Sequence, residues 1–325
     1  MRTGLKARES TEGSVAGPMS GRLLPERSIR SVNLDAPRIV RLYLPPSYTV
    51  APRRRFPVLY VHDGQNVFSS AGPDAAFGWG GWNLDETIDH LVATNRMEEV
   101  ILVAIDNSRF RYQEYRGPAY PYRAEELERL RRTPPGAANN RRHDQYARFL
   151  VEELKPAIDA EFRTRPGPKQ TALLGSSMGG ICSLALAWAH PEIFGGAASL
   201  SGAFQVEKQH FLQGVLRSYT GPPKPIRIYL DSGIMDHTGD DDGRRITEQV
   251  AGELRRIGWR RNLSHWVEEH VLTEEEMGQV GLRPEKWVEA RHSQHNEFYW
   301  RLRAWRALTF LFPSRRQARG RVAQD

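Results

Sequence analysis

Cysteine is nearly absent: the 325 residues include one, Cys182, so no disulfide can close within the chain. Such sparing use fits a reducing compartment. No apolar run reaches the roughly 20 residues that span a bilayer. The first residues, MRTGLKARESTEGSVAG, lack the apolar stretch of an export signal. The expectation is a cytoplasmic protein that does not engage a membrane. There is no internal repeat, and no Gly/Ser/Pro-rich linker divides the middle, which favours one domain carrying insertions. Acidic residues are outnumbered, 39 Asp+Glu against 46 Lys+Arg, giving a formal net charge of +7. The arginine clusters (Arg53-Arg54-Arg55, Arg131-Arg132, Arg141-Arg142, Arg315-Arg316) are scattered and no nucleic-acid motif accompanies them. A solvated basic surface is therefore expected, not a nucleic-acid site.

What the chain does have is an alternation of apolar runs and amphipathic stretches. Ile39–Leu44, Phe56–Val61, Val100–Ile105, Thr171–Leu174, Ala197–Leu200 and Ile226–Leu230 read as strands, several of them continuously apolar as in a parallel sheet covered on both faces. Leu84–Asn95, Gln145–Phe162, Met178–His190, Arg244–Ile257 and Glu297–Leu311 read as helices. This order predicts an α/β fold, a mostly parallel sheet flanked by helices, with chemistry in the loops beyond the carboxyl ends of the strands. Residues 1–27 are expected to be disordered, 28–313 to form the domain, and 314–325 to be a basic tail. The stretches 69–82, 108–143 (with a helical piece at Ala124–Arg132) and 260–285 break the alternation and are expected to be surface insertions.

Gly175-Ser176-Ser177-Met178-Gly179 fits G-x-S-x-G between a strand and a helix, the context of a nucleophile elbow. Ser177 is the expected nucleophile, since Ser176 has the wrong spacing. A serine hydroxyl needs a base to take its proton, and in this fold an acid and then a histidine follow in the chain. Asp236, past the strand Ile226–Leu230, is the preferred acid, with Asp231 the alternative and Asp240, Asp241 and Asp242 close by. His292 and His295 both precede the last helix, which Asn296 can cap. No H-E-x-x-H or similar ligand set is present, and no metal or cofactor is expected.

Together these segments resemble the esterase family of the α/β-hydrolase fold that includes enterochelin (ferric siderophore) esterases and feruloyl-esterase-like enzymes. The resemblance runs from about Arg38 to Phe312. It is carried by Tyr43-Leu44-Pro45-Pro46-Ser47-Tyr48, by Phe56 to Phe68 (FPVLYVHDGQNVF), by Trp82 to Thr87, by Gly175 to Gly180 and by His295-Asn296-Glu297-Phe298-Tyr299-Trp300. The α/β-hydrolase fold and carboxylic-ester hydrolysis through an acyl-enzyme are what it implies, with Ser177 attacking and His295 relaying the proton. It also implies an oxyanion hole from the Met178 N–H and from Gly64 or Gln65. The resemblance departs over residues 260–285, so Trp287–Ala290 is expected to be the last strand, and it does not choose the acid.

His62, Trp82, Glu114 and Tyr115 are candidate substrate contacts, each with a plain structural alternative: orienting the loop for His62, the core for Trp82, a structural hydrogen bond for Glu114 and Tyr115. Cys182 is expected to be a buried thiol. The expected partner is a small-molecule ester. An acyltransferase on the same scaffold and a non-catalytic binding protein that keeps the fold are the alternatives. Oligomeric state is not legible in the sequence.

Overall fold

The computed structural model describes residues 20–123, 125–126, 141–233, 241–260 and 295–314, together with the backbone of 265–269. Nine strands form one sheet: β1 (Arg22–Leu23), β2 (Arg27–Ile29), β3 (Arg38–Leu44), β4 (Val58–His62), β5 (Ile101–Ile105), β6 (Thr171–Ser176), β7 (Gly196–Leu200), β8 (Arg227–Ser232) and β9 (His265–Glu269). Their order is β1-β3-β5-β4-β6-β7-β8-β9, with β2 also on β3. The strands β4 to β9 are mutually parallel, and β3 joins β5 antiparallel. Every residue of β4, β5, β6 and β7 is buried, as expected for strands covered on both faces.

The helices are α1 (Leu84–Ala93), α2 (Arg111–Tyr115), α3 (Arg142–Arg148, Phe149–Leu154 and Lys155–Glu161 in succession), α4 (Met178–Ala189), α5 (Arg244–Ile257) and α6 (Glu297–Leu311). Two apolar layers result. One face of the sheet packs on α1 and α6 through Leu84, Ile88, Trp300, Ala304 and Leu308. The other packs on α3, α4 and α5 through Leu150, Leu154, Ile181, Leu184, Val250 and Leu254. The middle of α3 widens to π-helical hydrogen bonding at Phe149–Leu154. Pro156, which withdraws an N–H from the ladder, follows directly. In α5, Ile246, Val250, Leu254 and Ile257 form the buried stripe, and Gly258 with φ 126° ends the helix. Asn296 caps α6 by accepting from the Tyr299 N–H at 3.3 Å.

The strands and helices read from sequence recur within a few residues, with three corrections. Arg22–Leu23 pairs with β3, so order begins inside the stretch expected to be disordered. The strand beside β8 is His265–Glu269, within the expected insertion, because it continues the parallel register from Ile228↔His265 to Ser232↔Glu269. Ser314, assigned to the basic tail, is buried. The expected element Ala124–Arg132, apart from residues 125–126, and Trp287–Ala290 lie outside the described residues, as do residues 1–19 and 315–325.

Candidate active site

Parallel strands deliver their carboxyl ends to one edge of the sheet, and three of those ends meet here. Ser177 follows β6 and opens α4 with φ 50° and ψ −120°, a strained conformation for a residue with a Cβ. Glycine on each side makes the turn possible: a Cβ on Gly175 would lie 2.5 Å from the Gly179 carbonyl, and one on Gly180 2.5 Å from Ser199 Oγ. The turn is pinned to β7 and the loop after it by Ser177 N–H to Leu200 O at 3.0 Å and Ala203 N–H to Ser177 O at 2.9 Å. Met178 is the first residue of α4, so its N–H has no intrahelical acceptor.

His295 stands immediately before the cap of α6. Its Nε2 lies 3.1 Å from Ser177 Oγ, and its Nδ1 makes a short hydrogen bond with Asp242 Oδ1. The ring is held edge-on against Trp300, centroids 5.1 Å apart. The Asp242 side chain is fully buried, while that of His295 is 25% exposed, so the base reaches solvent and its carboxylate partner does not. The carboxylate that meets His295 is thus that of Asp242, directly before Gly243 and α5. Asp236, the preferred candidate from sequence, lies outside the described residues, as does His292. Asp231, the alternative, ends β8 and turns away from the histidine. It pairs with Arg303, both oxygens 3.2 Å from Nε, and accepts from the Tyr229 hydroxyl at 2.9 Å. Burial pushes its carboxyl above the ordinary range, with Arg303 opposing the shift.

The loop after β4 forms the other wall. Asp63 adopts the left-handed region, φ 59°, and Gly64–Asn66 make a single 3₁₀ turn. The Asp63 carboxylate is gripped by Arg111 (Nε 2.6 Å, Nη2 2.8 Å) and by Asn107 Nδ2 at 2.6 Å. Gly64 packs against β5 so closely that a Cβ would lie 2.7 Å from Ile105 backbone atoms and from Asp106 Oδ1. The N–H groups of Gly64 and Gln65 open this short turn and are therefore free of its internal ladder. Asn66 Nδ2 donates to Glu297 Oε1 at 3.2 Å, joining this wall to the start of α6, and burial raises the Glu297 carboxyl above its ordinary value. A Gly64→Ala protein should lose about 10²- to 10³-fold in kcat, the usual cost of one oxyanion donor, because its Cβ displaces the turn. Steady-state kinetics on p-nitrophenyl acetate check this.

The four candidate substrate contacts are all buried. His62 is 1% exposed and bonds Tyr146 Oη through Nδ1 at 2.9 Å. Trp82 packs on Trp300, centroids 5.7 Å apart. Glu114 forms a buried bidentate pair with Arg38 at 2.7 and 3.0 Å. The Tyr115 hydroxyl accepts from the Asp63 N–H at 3.4 Å. Each of the four thus has a partner within the protein, and Cys182 is buried as expected. Arg111, Ser201, Arg303 and Asp242 lie in this contact network and are not singled out by the sequence. Only Asp242 carried a signal, an Asp-Gly pair placed directly before a helix in the loop after β8.

Burial pushes the His62 imidazole down to about 3. The unfolded chain takes up this proton near pH 6.5, the native protein only near 3, so the stability that neutral His62 contributes is complete above 6.5 and lost as pH falls toward 3. The loss is about 1.4 kcal/mol per pH unit within that window. A His62→Gln protein should show a shallower fall in urea midpoint between pH 6 and 4 than the wild type.

Among the described residues, no group of His, Cys, Asp or Glu is arranged to hold a metal ion, and no helix is long and apolar enough to cross a membrane. The sheet order, the elbow after its central strand and the histidine before the last helix define an α/β-hydrolase. Residues 31–307 match the family described as "Putative esterase". The chain belongs to that family. It is similar to two Bacillus subtilis proteins, YbbA (27% identical over 166 residues, 51% of this chain and 57% of YbbA) and YjcH (24% over 226 residues, 69% and 79%), both described as uncharacterized. The match thus spans little more than half of YbbA. Among solved structures, a ferulic acid esterase superposes with TM-score 0.62 at 15% identity, covering 90% of this chain and 98% of that one. The Shigella flexneri enterobactin esterase FES, with 2,3-dihydroxy-N-benzoyl-serine present, gives 0.59 at 17%, covering 89% and 59%. An IroE-like serine hydrolase from Shewanella oneidensis gives 0.60 at 16%, covering 90% and 80%. These likenesses concern the fold.

Proposed function

We propose that this chain hydrolyses small-molecule carboxylic esters through a serine acyl-enzyme, with Ser177 as nucleophile, His295 as general base and acid, and Asp242 as the carboxylate that orients the histidine. The observation that carries this is the unbroken chain of contacts from Ser177 Oγ through the His295 ring to Asp242. Ser177 Oγ attacks the ester carbonyl carbon while its proton passes to His295 Nε2. The negative charge that develops on the carbonyl oxygen is met by the N–H of Met178 and that of Gly64 or Gln65. Collapse of the tetrahedral intermediate breaks the bond to the leaving oxygen, which takes the proton from His295. Water then attacks the acyl-enzyme, again losing its proton to His295, and the acid departs as the proton returns to Ser177 Oγ.

Labelling with a fluorophosphonate followed by mass mapping tests the assignment. Modification at Ser177, with parallel loss of p-nitrophenyl acetate hydrolysis, is the expected result. A folded sample that takes up no label would favour a protein that keeps the fold without the reaction.

A further inference from the structure

Directly behind the proposed triad lies a fully buried polar cluster whose proton positions can be worked out. Ser201 follows β7 with φ 48°, a left-handed conformation that holds its side chain inward. Its Oγ has three partners: Trp300 Nε1 at 3.1 Å, Arg303 Nη2, and Asp242 Oδ2. An indole N–H and a guanidinium can only donate, so both contacts consume acceptor capacity of the hydroxyl. Its single proton is left with one destination, Asp242 Oδ2. The Gly233 N–H reaches the same oxygen at 2.6 Å. Two donors thus hold Oδ2, and Oδ1 is turned toward His295 Nδ1. Arg303, wholly buried, adds charge from between two carboxylates, contacting Asp231 at 3.2 Å and Asp242 at 3.7 Å. A carboxylate supplied in this way acts only as an acceptor. Nδ1 must then carry the histidine proton, and Nε2 presents its lone pair to Ser177 Oγ.

We infer that Ser201 is a positioning residue for ester hydrolysis: its hydroxyl, locked as a donor by Trp300 and Arg303, aims the Asp242 carboxylate and so fixes the tautomer of His295. The inference rests on the mechanism proposed above. Trp300 and Arg303 sit one turn apart on α6, the helix that His295 precedes, so the helix that delivers the base also sets the proton that orients it. The charged groups around His295 among the described residues are few. Asp242 precedes α5, Asp231 ends β8, and Arg303 and Glu297 belong to α6. Asp241 and Arg245 line, with Ser201, Asp242 and His295, a cleft of about 480 Å³.

Ser201→Gly and Ser201→Ala test this as a pair. Both delete the hydroxyl, but glycine accepts φ 48° without penalty whereas alanine keeps the strained Cβ, so their stabilities should differ while their kinetics agree. With p-nitrophenyl acetate, kcat should fall about 10- to 100-fold in both, the range seen when an outer partner that orients a reacting group is removed, with KM within about twofold. The acid limb of the kcat/KM profile should move to higher pH in both. Without the Ser201 proton, carboxylate charge concentrates on Oδ1 and favours the imidazolium. Wild-type kcat with an unshifted acid limb would overturn the inference. So would a loss that follows the thermal midpoint, larger in Ser201→Ala than in Ser201→Gly. Ser177→Ala run alongside separates the two levels. If it retains turnover, the underlying mechanism fails; if it is inactive while both Ser201 variants behave as wild type, only the role of Ser201 fails.

Discussion

A Ser177→Ala protein should fold with the thermal midpoint of the wild type and hydrolyse p-nitrophenyl acetate about 10⁴- to 10⁶-fold more slowly. The substitution keeps a Cβ at φ 50°, so the elbow retains its strain and its backbone bonds to Leu200 and Ala203. What it removes is Oγ, the atom 3.1 Å from His295 Nε2. Any residual rate would come from the intact oxyanion donors acting on attacking water. Turnover comparable to wild type in a sample free of contaminating esterase would eliminate Ser177 as nucleophile.

The second large effect is expected from Asp242→Asn, about 10⁴-fold in kcat, as for a triad whose acid becomes an amide. The surroundings determine which way the new amide must face. Ser201 and the Gly233 N–H both donate to Oδ2, so the amide oxygen has to stay with them and the NH₂ group must meet His295 Nδ1. Nδ1 then becomes an acceptor, the ring proton moves to Nε2, and the base can no longer take a proton from Ser177. Asp231→Asn is the control. Its carboxylate serves Arg303 and Tyr229 without touching His295, so its effect on kcat should be much smaller. A greater loss for Asp231→Asn than for Asp242→Asn would transfer the acid role.

The distance over which each residue acts explains how much the sequence revealed. The strand and helix pattern was legible because β4 to β7 are apolar throughout and α5 carries its buried stripe at helical spacing. Ser177 was legible because an elbow is in part a local device, requiring glycine at 175 where a Cβ would meet Gly179 four residues on. His295 was legible through its place before a capped helix. The carboxylate that meets His295 was not, because Asp240-Asp241-Asp242 offers three in a row and their local sequence does not tell them apart. Trp82, Glu114 and Tyr115 are buried against Trp300, Arg38 and Asp63, partners distant in the chain that leave no mark on the local sequence. Strand β9 was hidden because its partner contributes the register, while its own sequence, HWVEE, is not an apolar run.

The two reacting side chains are separated by 118 residues, and the base precedes the last described helix. A chain being synthesised can therefore complete its elbow, its oxyanion turn and most of its sheet while having no base at all. On the proposed mechanism, chemistry is withheld until α6 packs beside α1 on the sheet and brings Trp300, Arg303 and His295 into place. Ester turnover would thus serve as a late-stage clock for folding: in a refolding experiment, activity should return no sooner than the burial of Trp300, even where the secondary structure is recovered much earlier.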